Sequence, residues 1–128
     1  MKTQLLLLLI FLVNTPPLLA QHYLDLPAQK AVSLLKKEKR IKPILHYDEK
    51  GNCDIETYQY QYKSEFEKKL QDILALKEFE WIKINENQFV SNFKKQRLLE
   101  VFDEAPPYQL SILRTAWSQE LYELLLKK

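Results

Sequence analysis

The sequence predicts a small, single-domain α+β fold: an antiparallel hairpin or sheet packed by two to four helices. Three observations lead there. Two β-prone runs, KPILHYD and NCDIETYQYQY, flank the turn-forming DEKGN. Two further segments, LPAQKAVSLLKKEKR and SEFEKKLQDILALK, space their apolar residues three and four apart, as a one-sided helix does. The chain holds one cysteine, 46% hydrophobic and 12% aromatic residues, so it must be stabilised by a core rather than by an internal disulfide.

The first twenty residues, MKTQLLLLLIFLVNTPPLLA, carry the three parts of a secretory signal peptide. Lys2 provides the positive start, Leu5 to Val13 the apolar stretch, and Pro16 and Pro17 the break before Ala20. Cleavage after Ala20 leaves residues 21–128 as one α+β domain. An uncleaved anchor is the poorer reading, because spanning takes about 20 apolar residues and Asn14 and two prolines interrupt this run. Loss of Lys2 takes the formal net charge from +2 to +1. That balance gives no electrostatic case for nucleic acid, and no stable membrane span is expected after cleavage.

Each element then has its reason. Pro27 suits the first turn of a helix, with Ala31, Leu34 and Leu35 on one side and a basic end that complements the dipole. In the hairpin, Gly51 takes the left-handed position that closes a turn over Glu49 and Lys50. The implied register sets Asp48 opposite Asn52, Tyr47 opposite Cys53, His46 opposite Asp54 and Leu45 opposite Ile55. Leu45, Tyr47, Cys53 and Ile55 then share one face, and Ile44, His46, Asp48, Asp54 and Glu56 the other. Ser64 and Glu67 form a capping box ahead of Phe66, Leu70, Ile73 and Leu74. EFEWIKI reads as a strand, NENQ as a turn, and FVSNF as a short strand or helix entry. KKQRLLEVFDEA fits strand or helix until Pro106 and Pro107 end it. YQLSILRTAWSQELYELLLKK reads as a closing helix, with Leu110, Leu113, Trp117, Leu121 and Leu124 on one face.

The segment His46 to Glu56 concentrates a histidine, the one cysteine, the one glycine and four carboxylates. A calcium loop would need a ligand where Lys50 stands. His46 and Cys53 fall on opposite faces, so they share no zinc ion and form no nucleophile–base pair. Turn chemistry explains the glycine, core packing the cysteine, and a surface pair with Asp54 the histidine. A single glycine excludes glycine-rich phosphate loops, and two histidines leave little for a triad or a catalytic zinc site. No catalytic residue, metal or cofactor is implied. The remaining feature is Tyr58, Tyr60 and Tyr62, which share a face if TYQYQY is a strand. They offer either a binding platform for a protein, peptide or glycan, or a surface that a helix covers.

The order ILHYDEKGNCDIETYQY, SEFEKKLQDILALKEF, EWIKI resembles the C-terminal domain of TonB-type energy transducers over residues 41–84. Asp48 and Gly51 of the hairpin, the helix beginning near Ser64, and Trp81 stand in the corresponding places. The proline and glycine that follow the tryptophan in that family are missing. The resemblance implies a periplasmic domain that contacts partner proteins, by strand addition to a peptide, and not energy transduction. Three functional readings result. One is an exported, non-enzymatic module that binds an envelope protein or peptide through a sheet edge or the tyrosine face. Another is an inhibitor or immunity-type protein that blocks a secreted enzyme. The third, a hydrolase, requires a concave pocket with convergent polar groups.

Overall fold

The computed structural model describes residues 23–127; the expected signal peptide over residues 1–20 lies outside them, as does His22. In chain order the elements are α1 (Ala28–Lys37), β1 (Ile44–Tyr47), β2 (Cys53–Tyr60), α2 (Lys63–Leu74), a 3-10 turn (Lys77–Phe79), β3 (Ile82–Asn85), β4 (Gln88–Val90), β5 (Arg97–Phe102), β6 (Tyr108–Arg114) and α3 (Gln119–Leu126). The six strands form one antiparallel sheet in the order β1-β2-β6-β5-β4-β3. Strands β3 to β6 run as a meander, and β6 closes it onto the β1–β2 hairpin. This is the predicted α+β class, with three helices.

The hairpin turn forms as the glycine requires. Gly51 has φ +81°, and its N–H donates to the carbonyl of Asp48 at 3.0 Å. The Asp48 carboxylate accepts from the N–H groups of Lys50 and Asn52 at 2.9 and 3.0 Å, which ties the turn down from inside. Tyr47 faces Cys53 as expected. Beyond that pair the register departs from the expectation: His46 faces Ile55, Leu45 faces Glu56 and Ile44 faces Thr57. Asp54 is the extra residue of a β-bulge, and one inserted residue reverses the in–out alternation that follows. Ile55 therefore leaves the core face and Glu56 joins it. Cys53, Glu56, Tyr58 and Tyr60 are all buried. The expected His46–Asp54 pair is present across the bulge, at 2.7 Å between Nδ1 and Oδ1.

Two other expectations are corrected. Residues 108–114 form β6, a central strand, and only Gln119–Leu126 is helical. Leu110 and Ile112 point into the core beside Leu99 and Val101, while Ser111 is buried on the opposite face. A strand covered on both sides shows a near-continuous apolar run, and such a run also fits a helical spacing. Ser118 starts α3, its hydroxyl accepting from the N–H of Leu121 at 3.2 Å. The capping box at Ser64 and Glu67 is absent. Helix α2 begins at Lys63 behind Tyr62 with no side-chain cap, so Ser64 sits inside the first turn.

Helices α1 and α2 cover one face of the sheet. Ala31, Leu34 and Leu35 from α1, and Phe66, Leu70, Ile73 and Leu74 from α2, pack on Tyr58, Tyr60, Leu99, Val101, Leu110 and Ile112. On the other face a polar row crosses the strands, with Thr57 bonded to Ser111 at 3.0 Å and Gln88 to Glu100 at 3.0 Å. Helix α3 packs near β3, and Tyr122 meets Phe93 edge-on and reaches Thr115 at 3.1 Å.

The chain before α1 is pinned to the far ends of β5 and β6. Asp25 accepts from Arg97 at 2.6 Å and from Arg114 at 2.9 Å, and Arg114 also holds Asp48 of the turn. Hydrogen bonding from Arg114, then from the Asn52 amide, lowers the Asp48 carboxyl from 3.8 to about 2. Burial alone would raise the Asp25 carboxyl, but hydrogen bonds from Arg114 and Arg97 outweigh it and leave it lowered. Both carboxylates ionise more readily in the folded chain. The stability they confer is present above their ordinary value of 3.8 and is lost as pH falls through their folded values. Thermal melts across acid pH check this: the midpoint should fall as pH drops from about 4 towards 2, and Arg114→Ala should make that fall shallower.

Candidate functional site

The tyrosine stripe does not act as one surface. Tyr58 and Tyr60 are 4% and 8% exposed, whereas Tyr62 lies past the end of β2 and is 69% exposed. Of the expected binding residues Tyr58, Tyr60 and Tyr62, the first two are covered by a helix, as the packing alternative anticipated. The covering helix is α2 and not the closing one, with Phe66 and Ile73 buried in the same core. Coverage is incomplete. Between α2, the connector after α1 and the N-terminal end of β2's neighbour Tyr23, a cavity of about 290 Å³ opens over Tyr58 and Tyr60.

One wall of this cavity is built by the connector. After α1 ends at Lys37, Glu38 and Arg40 fold onto each other. Glu38 Oε1 accepts from the Arg40 backbone N–H at 2.9 Å and from Nε at 3.0 Å, and Oε2 accepts from Nη2 at 3.2 Å. Hydrogen bonds from the Arg40 side chain, then from its backbone, lower the Glu38 carboxyl to about 2. Ile41 and the buried Pro43 continue this wall along the rim. The opposite wall is one face of α2, where Glu65, Lys68, Lys69 and Asp72 recur at helical spacing.

The floor is aromatic and its hydroxyls are protonated. Burial, then the charge of Glu65, pushes the Tyr60 phenol up to about 12. Burial, then the charge of Glu56, raises Tyr58 well above the ordinary phenol range. Neither hydroxyl has a hydrogen-bond partner among the described residues. The sealed polar atoms that lack partners are Trp81 Nε1 and Arg97 Nε, so both phenols reach the open cavity. Lys69 lies with Nζ 4.4 Å from the centre of the Tyr58 ring, a cation–π contact. Burial, then the charge of Arg40, lowers the Lys69 ammonium, and no carboxylate of the described residues pairs with it. Beneath the floor, Glu56 is fully buried and accepts from the Tyr23 N–H at 2.6 Å.

The reactive segment of the hairpin forms no site. His46 is exposed on the outer face with Asp54, and Cys53 is buried on the inner one. Burial, then the charge of Glu56, pushes the Cys53 thiol up to about 12, so it stays un-ionised. Among the described residues no group of three or more histidine, cysteine, aspartate or glutamate side chains could hold a metal ion, and no helix is long and apolar enough to cross a membrane. Among the described residues, no serine, threonine, cysteine or histidine lines the cavity. Its chemistry is that of aligned donors and charges on an aromatic floor, which suits holding a ligand.

Sequence reasoning found the floor and missed the walls. Glu38, Arg40, Lys68 and Lys69 lie in runs that read as solvated helix surface. The available signal was that Lys69 and Asp72 stand on the flank of α2 next to its apolar face. Against models of protein families, curated proteins and solved structures, the chain finds no match.

If Tyr58 is a core ring whose hydroxyl serves only the cavity, ring and hydroxyl separate on substitution. Tyr58→Phe should change stability by no more than about 0.5 kcal/mol. Tyr58→Ala should cost about 3–5 kcal/mol, the range for losing a buried aromatic side chain. Urea denaturation of both variants measures the difference.

Proposed function

We propose that this chain is an exported, non-enzymatic binding module of the bacterial envelope, periplasmic or secreted, that holds a segment of a partner protein or peptide in the cavity over Tyr58 and Tyr60. The observation that carries the reading is the pair of nearly buried phenols that have no hydrogen-bond partner among the described residues and open into a preformed cavity. Both phenols reach the open cavity from a largely buried floor, and in that low-dielectric setting a hydrogen bond is electrostatically stronger than the same contact in water. The leader over residues 1–20 supports export. Binding is better supported than hydrolysis, because the described residues of the cavity place no nucleophile beside a base. The sheet edges are the weaker site: β1 and β3 have four residues each, and short edge strands discourage strand addition.

Site-specific photocrosslinking tests this in cells. A photo-reactive residue at Ile41, on the cavity rim, should capture a discrete partner species. The same residue at Phe102, exposed on the far face of the sheet, should not. Capture at both positions alike, or at neither, would contradict the reading.

A further inference from the structure

We propose that the cavity recognises the free carboxylate end of a peptide, with the phenols of Tyr58 and Tyr60 and the ammonium of Lys69 as its donors. This inference rests on the reading of the cavity as a binding site and specifies what the site takes.

The cavity's polar groups divide by whether they are already committed. Glu38 occupies one edge of the Arg40 guanidinium, through Nε and Nη2, and the rest of this side chain lies at the exposed outer rim. Glu56 accepts the Tyr23 N–H from beneath. What remains uncommitted on the inner side is three donors: two phenols, held protonated by burial, and Lys69. Donors without acceptors call for an acceptor, and an ammonium among them calls for one that carries negative charge.

The rest of the lining sets how much charge fits. Glu38, Glu65 and Asp72 surround the opening, and the negative charge of Glu56 lies below. Glu38 is paired with Arg40, and Glu65 and Asp72 are matched in number by Lys68 and Lys69, so an anion adds its whole charge to a balanced opening and a singly charged carboxylate adds half as much as a doubly charged phosphate. Glu65 and Asp72, which have no ion pair among the described residues, face the same opening. They are placed to receive a cationic side chain or an amino group further back along the ligand. A ligand with a carboxylate at its tip and positive charge behind it matches both sets. The cavity, about 290 Å³, is at the small end of ligand sites. It has room for a terminal residue, with the preceding chain leaving over Ile41 and Pro43.

The test uses the mature chain, residues 21–128, labelled with nitrogen-15 and titrated with two matched sets of tripeptides. Each set has the form Lys-Ala-X with X varied; one set ends in a free carboxylate and the other in an amide. The free acids should shift the amide signals around Tyr58, Tyr60 and Lys69, and amidation should weaken binding about tenfold or more. Tyr58→Phe and Lys69→Met, confirmed as folded by the same spectra, should each weaken binding of the acids and shrink the acid–amide difference. Inorganic phosphate should not compete. Equal binding of acids and amides, or effective competition by phosphate, would overturn carboxylate recognition and leave the cavity as a binding site. Silence from both peptide sets would also overturn it; the binding reading would then stand or fall on the crosslink at Ile41.

Discussion

Where β1 passes from Tyr47 to His46, β2 inserts Asp54, and the alternation of every later side chain in β2 depends on that insertion. Without the bulge, Ile55 would follow Cys53 into the core and Tyr58 and Tyr60 would face the outer side. With it, a carboxylate and two tyrosines enter the layer between sheet and helices. The layer accommodates them in two ways, Glu56 within it and the phenols at its edge. Glu56 takes a backbone N–H, and the phenols reach the gap between α2 and the connector.

The cavity follows from that edge. Tyr58 and Tyr60 share the layer under α2 with the buried Phe66 and Ile73, and the cavity opens over the two rings. The Glu38–Arg40 pair lines the connector side of the gap. Burial has opposite effects on the two kinds of donor it encloses. It fixes the phenols in their neutral, donating form, and it makes the ammonium of Lys69 costly to keep charged without a counter-ion. Both effects favour an anionic oxygen as occupant. The charge network of Asp25, Arg97, Arg114 and Asp48 is on another side of the molecule and serves the fold.

The class of fold, α1, the glycine turn and α2 were legible because each has a local cause. Gly51 is the one residue that enters a left-handed turn without strain, and Phe66, Leu70 and Ile73 have the period of a packed helix face. The bulge was not legible, since any residue can occupy the extra position and only the tertiary fit of Glu56 and Tyr58 selects the register. Strand β6 was misread because Leu110 and Leu113 satisfy a helical spacing as well as a strand buried on both faces. At the site, alternation revealed Tyr58 and Tyr60 but not where β2 stops, so Tyr62 was grouped with them. Arg40 and Lys69 come from segments far apart in sequence, and only the packing of α2 against β2 brings them to one opening.

The bulge is the claim on which the remaining account depends, and cross-strand proton contacts in a nuclear Overhauser spectrum of the protein test it directly. The account predicts contacts that place Leu45 opposite Glu56 and Ile44 opposite Thr57. Contacts placing Leu45 opposite Ile55 and His46 opposite Asp54 would show an unbroken register, turn Tyr58 and Tyr60 to the outer face, and remove the cavity as a site.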